Sequence, residues 1–106
     1  VIKVSVLTEG NQYKGIRVSG HAYSGEPGFD LVCAGVSTVM IGSLNAFSEL
    51  DDDVNLEMND SPLVAIDINQ VNDSNQLMFK FMLLQLKTIE ETYPNYINIH
   101  EKEVSS

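Results

Sequence analysis

The stretch from residue 31 to residue 48 carries no charge, in a chain of 106 residues of which 20% are charged. Within it Val32, Val36, Val39, Met40, Ser43 and Phe47 recur at the spacing of one helix face. The opposite side, Ala34, Gly35, Thr38, Ile41, Gly42 and Asn45, is uncharged too. A helix that is apolar or small all round needs cover on more than one side. In so small a domain a sheet covers one face, and the other is expected to meet a partner subunit. Cover by the chain itself is the alternative. Gly35, Ser37, Gly42, Ser43 and Asn45 interrupt the run, so it is expected to fall short of the ~20 mostly apolar residues of a membrane span.

The rest of the chain supplies the sheet. Ile2, Val4 and Val6 alternate with Lys3 and Ser5, the period of a half-buried strand. Glu9-Gly10-Asn11 reads as a hairpin turn and residues 13–19 as the returning strand. Ser24-Gly25-Glu26-Pro27-Gly28 is a loop by composition, and Asp30 is placed to cap the uncharged helix. Asp51-Asp52-Asp53 ends it, because three anions are unfavourable in a last turn. Residues 54–58 and 63–68 alternate around Asn59-Asp60-Ser61-Pro62, a second hairpin. Asn72, Asp73 or Ser74 caps a second helix that runs to about Thr92 and stops before Pro94. Its lines are Leu77, Phe81, Leu84 and Thr88, and Met78, Met82, Gln85 and Ile89. Residues 96–100 make a last short strand. The order β-β-α-β-β-α-β, with hairpins dominating, predicts a single α+β domain over residues 1–106. Its two helices pack on a mainly antiparallel sheet.

Charge and cysteine count bound the function. Six basic and 15 acidic residues give a formal net charge of −9. That argues against nucleic acid, whose phosphates demand Lys and Arg, and against anionic membranes. It suits a basic partner or substrate. One cysteine forms no internal disulfide and demands no oxidising compartment. No signal-peptide pattern is seen, and a cytoplasmic location is expected. There is no Cys-x-x-Cys, His-Glu-x-x-His, phosphate loop or dinucleotide fingerprint. The triple aspartate lacks the ligand spacing of a calcium loop. No metal and no cofactor are expected.

What remains is Cys33, with His21 twelve residues before it. A lone cysteine on an apolar helix is most often core packing. Here the thiol is expected in the first helical turn, where backbone dipoles favour thiolate, with a histidine at the preceding strand end to take its proton. Gly20 suits a strand end or a close approach. Ala34 and Gly35 leave room for a substrate backbone, and N–H groups there are candidates to hold an oxyanion. Asp30 either caps the helix or orients His21. Ser37 lies one turn after Cys33, to hydrogen-bond in the site or to the Cys33 carbonyl. His100 reads as an edge residue.

Gly20-His21-Ala22, the Gly-rich loop and Asp30-Leu31-Val32-Cys33-Ala34-Gly35-Val36-Ser37 resemble the ribosomal-processing cysteine protease family, called Prp. So does the later helix over residues 83–93, with Gln85, Thr88, Ile89 and Glu90-Glu91. The likeness spans nearly the whole chain. It implies a homodimeric cysteine endopeptidase with a Cys33/His21 dyad and supporting positions at Asp30 and Ser37. The implied substrate is the short N-terminal extension of large-subunit ribosomal protein number twenty-seven, with aromatic residues before the cut and basic residues after it. Residues 23–29 are expected to close over the peptide. The alternative is a non-catalytic ribosome-assembly module or chaperone that binds the same basic tail. A fast thiol-alkylation rate at Cys33 separates the two.

Overall fold

The computed structural model describes residues 1–20, 27–51, 53–59 and 64–104, with residues 27–30 described by their backbone. Seven elements follow the expected order. They are β1 (Ile2–Glu9), β2 (Gln12–Ser19), α1 (Pro27–Leu50), β3 (Val54–Met58), β4 (Val64–Ile68), α2 (Asp73–Thr92) and β5 (Ile97–Glu103). They form one five-stranded sheet in the order β3-β4-β2-β1-β5. β1 with β2, β2 with β4 and β3 with β4 pair antiparallel. β5 pairs parallel to β1, which makes the sheet mixed. The parallel pair has a simple cause: α2 carries the chain back along the sheet before β5 begins.

Strand alternation sets the core. Val4, Val6, Ile16, Val18, Val64, Ile66 and Ile68 point to one face and are buried there. Both helices cover that face, α1 over β3 and β4, α2 over β2 and β5. The other face is polar. Arg17 and Asp67 form an ion pair of 2.8 Å on it. They cross the position of Gly15, where a Cβ would lie 2.7 Å from Asp67 Oδ1.

Of the expected α1 face, Val32, Val36, Met40 and Phe47 are buried, whereas Val39 and Ser43 are half-buried and turn toward α2. The helix starts at Pro27, however, three residues before Asp30. Proline is suited to a first helical position, because its missing N–H has no intrahelical partner to lose there. Pro27, Gly28 and Phe29 are therefore helical rather than loop, and Asp30 lies inside the helix rather than capping it. Its side chain is outside the described residues. A second correction concerns hydropathy: the 20 residues Leu31–Leu50 include an 18-residue window of mean hydropathy 1.6, long and apolar enough to cross a membrane. Glycine and serine subtract too little to offset so many Val, Leu, Ile and Met. In this fold the helix spends its apolar row on the sheet.

In α2 the buried positions are Asn75, Phe79, Met82, Leu83 and Leu86, so only Met82 of the two expected lines is fully buried. Leu77, Phe81 and Leu84 are exposed. The N-cap is Asn72, in a reciprocal capping box with Asn75. The buried Asn75 also donates to Asp51 Oδ2 at 3.0 Å and to the Gln70 carbonyl at 2.9 Å. One amide thus ties the end of α1 to the start of α2. β5 continues to Glu103, beyond the expected strand, because its polar residues stay in register with β1 as far as Thr8.

Candidate active site

The site is built at the end of the sheet where β2 finishes. Gly20 has φ +125°, and a Cβ on it would lie 2.8 Å from the Val1 carbonyl oxygen and 2.9 Å from Ile2 Cα. Only glycine takes that backbone without strain, and only glycine fits against β1 there. The geometry of Gly20 therefore fixes the direction in which the chain leaves the strand. His21 is the next residue and lies outside the described residues, as do residue 22 and residues 23–26, the first part of the expected closing segment.

Cys33 is the seventh residue of α1, in its second turn. It is half-buried and packs against the hydrophobic core. This corrects the expectation of a first-turn thiol. The pull of the macrodipole falls off within the first turn, so it acts on Cys33 less than a first-turn position would allow. The backbone N–H groups of Ala34 and Gly35 lie within the helical ladder, where they bond to carbonyls four residues back. They are therefore not available to an oxyanion. The donors left without an intrahelical partner are the N–H groups of Gly28 and Phe29. A helical side chain leans toward the N-terminus, which tilts Cys33 toward the turn that carries them.

Around Cys33 the flanks of α1 differ. Val32 and Val36 go into the core. Gly35 faces α2, with Ile89 Cδ1 3.6 Å from the position of a Cβ. Ala34 is exposed and Ser37 is half-buried. On the same turn Thr38 Oγ1 donates to the Ala34 carbonyl at 2.9 Å. Tyr96 belongs to the same end of the molecule, since its carbonyl accepts the Ile2 N–H at 2.8 Å. Met58 does too, through its register with Val64, which pairs with Val18. Nothing in the sequence singles out Met58, because topology alone brings the β3–β4 end beside the β2 end. His100 lies on edge strand β5, where its Nε2 is 3.0 Å from Ser5 Oγ on the open face. It is an edge residue, as expected. Among the described residues no His, Cys, Asp or Glu cluster has the form of a metal site.

The helical layer has a second feature. An apolar groove of about 430 Å³ runs between α1 and α2, lined by residues that include Val39, Gly42, Ala46, Leu77, Phe81 and Met82. Leu31, Leu50, Leu77, Phe81 and Leu84 are all more than half exposed in this layer.

Comparison with known proteins gives one family. The family model for cysteine protease Prp matches residues 1–98. The ribosomal processing cysteine protease Prp of Staphylococcus aureus is 36% identical over 104 residues, 95% of this chain and 97% of that protein. Its counterpart in Mycoplasma genitalium is 34% identical over 83 residues, 78% of this chain and 83% of that protein. A solved S. aureus Prp in complex with a substrate peptide superposes with a TM-score of 0.82 at 33% identity, covering 96% of this chain and all of that one. A Streptococcus mutans protein superposes with a TM-score of 0.84 at 29% identity, covering 98% of this chain and 96% of that one.

Proposed function

The chain belongs to the cysteine protease Prp family, and from that premise we propose that it removes the short N-terminal extension of large-subunit ribosomal protein number twenty-seven. A Cys33/His21 dyad performs the cut. The observation that carries this reading is the match over residues 1–98 in a chain with a single cysteine, half-buried and on the helix that follows Gly20.

The chemistry follows from the groups themselves. His21 takes the Cys33 proton, and the thiolate adds to the scissile carbonyl. Gly28 and Phe29 N–H groups receive the oxyanion. Collapse of the intermediate breaks the C–N bond, His21 returns the proton to the leaving amine, and a thioester remains. Water, deprotonated by His21, then releases the peptide acid and restores the thiol. Gly20 sets the approach of His21. Ser37 and Ala34 line the thiol's flank, and Asp30 is a positioning residue for His21. No cofactor takes part, and the site acts in the cytoplasm.

The helical layer supports a homodimer. Contiguous exposed apolar side chains beside a groove are rare on monomers. A two-fold interface of Leu77, Phe81 and Leu84 with their copies would cover them.

The test is to incubate the purified chain with the full-length ribosomal protein precursor from the same source and to read intact masses. The expected product lacks its N-terminal segment, and Cys33→Ala and His21→Ala leave the precursor whole. An uncut precursor with the unaltered chain, or a cut one with Cys33→Ala, overturns the reading.

A further inference from the structure

We infer that the outer edge of β3 receives an extended segment of the substrate as an additional strand, an inference that rests on the protease reading above. β3 is an edge strand. Its hydrogen-bond phase can be read from one contact: Asn69 N–H donates to the Asp53 carbonyl at 3.3 Å. In an antiparallel pair bonded and non-bonded positions alternate. Asn55 and Glu57 therefore bond inward to β4, and the N–H and C=O groups of Val54, Leu56 and Met58 point outward. Among the described residues no hydrogen bond reaches those outward groups. The opposite edge is treated differently, for on β5 the Ile99 N–H donates to Glu90 Oε2 at 2.7 Å. A bare edge strand invites pairing, and proteins usually cover or charge it.

The bare edge is on the Cys33 side of the molecule. Gly35, Thr38, Val39, Gly42 and Ala46 face α2 or line the groove shared with it. At 3.6 residues per turn, Cys33, Ser37 and Leu44 then fall on the opposite flank of α1. That flank faces outward past β3 and β4, the strands α1 covers. Met58 marks the site end of the edge, and from there the five residues of β3 extend for roughly 16 Å. On the helix side of the strand Leu56 is half-buried and Met58 is 57% exposed. They offer apolar contact to alternate side chains of a paired peptide. Strand addition of this kind draws affinity from main-chain bonds and selectivity from alternate side chains. The occupant suits the place: solved relatives hold a substrate peptide and a covalently linked product peptide.

Amide hydrogen exchange resolved by residue, on Cys33→Ala with and without a synthetic peptide spanning the ribosomal protein's extension and cut, tests the inference. With peptide at 100 times its Kd, the Leu56 and Met58 amides should exchange up to about 100-fold more slowly. Asn55 and Glu57 should be protected in both states. A second arm needs no further protein variant. Single N-methylation along the peptide should weaken cleavage by the unaltered chain at every second residue of the docked segment. Peptide binding with Leu56 and Met58 unchanged, or N-methyl effects without period two, overturns edge docking and leaves the protease reading standing. Protection without peptide that is lost on dilution assigns the edge to a second copy and also overturns it. An absence of saturable peptide binding overturns the substrate reading itself.

Discussion

Gly20→Ala should unfold the chain more easily and disarm it, whereas Gly35→Ala should stabilise it. At Gly20 an alanine must either hold a φ of +125° or move the strand end. Such backbone strain costs about 1–3 kcal/mol. The new methyl group also meets the Val1 carbonyl oxygen at 2.8 Å and Ile2 Cα at 2.9 Å, both backbone atoms that cannot rotate away. Overpacking of that sort adds a similar amount and raises the total to about 2–6 kcal/mol. For a chain of this size each kcal/mol lowers Tm by roughly 4–8 °C. The added methyl at Gly35 meets only Ile89 Cδ1, at 3.6 Å, an ordinary contact. There the change removes a helical glycine, worth about 1 kcal/mol. Urea unfolding of both variants, with unchanged m-values, measures the two signs. Cleavage by folded Gly20→Ala, assayed well below its Tm, reports whether the strand end aims His21. A Gly20→Ala variant within about 0.5 kcal/mol of the parent, or a destabilised Gly35→Ala, refutes this use of the backbone geometry.

Four further outcomes are expected. Asn75→Ala removes a buried side-chain amide that accepts from the Asn72 N–H in the capping box and donates to Asp51 and the Gln70 carbonyl, and should cost about 2–4 kcal/mol in urea unfolding. Phe81→Glu places a charge in the exposed apolar layer of α2, and light scattering should fall from about 23 kDa, twice the 11.7 kDa chain, to the single-chain mass. The specificity constant for a substrate peptide with lysines after the cut should fall as salt rises. Attraction to a chain of net charge −9 is screened beyond a Debye length of ~8 Å at physiological salt. The same peptide with glutamine in place of lysine should start lower and respond less, and equal salt slopes would make the acidic surface a solubility feature only.

Much of this architecture is legible in the residues because it depends on local periods. Alternation marks Ile2, Val4 and Val6, and helical spacing marks Val32, Val36, Met40 and Phe47, all buried where expected. Asn72 and Pro94 bracket α2 by chemistry that acts within one turn. The start of α1 is less legible, because Pro27 and Gly28 are turn residues by composition and a helix start by position. That shift moves Cys33 to the second turn and the donors to Gly28 and Phe29. The buried side of α2 is ambiguous for another reason. Leu77, Phe81 and Leu84 are as apolar as Phe79, Leu83 and Leu86, so a helix with two apolar faces does not declare which meets the sheet. The parallel placement of β5 and the bare edge of β3 depend on contacts distant in sequence, beyond the reach of any local period.

The central claim is that Cys33 carries the peptide as a thioester. Mixing the chain with substrate peptide, quenching in acid within the first turnovers and weighing the intact protein tests this directly. The predicted species is the protein plus the N-terminal fragment less one water, with the added mass on the Cys33-bearing tryptic segment and none on Cys33→Ala. Cleavage by Cys33→Ala, or an adduct on any other residue, would contradict it.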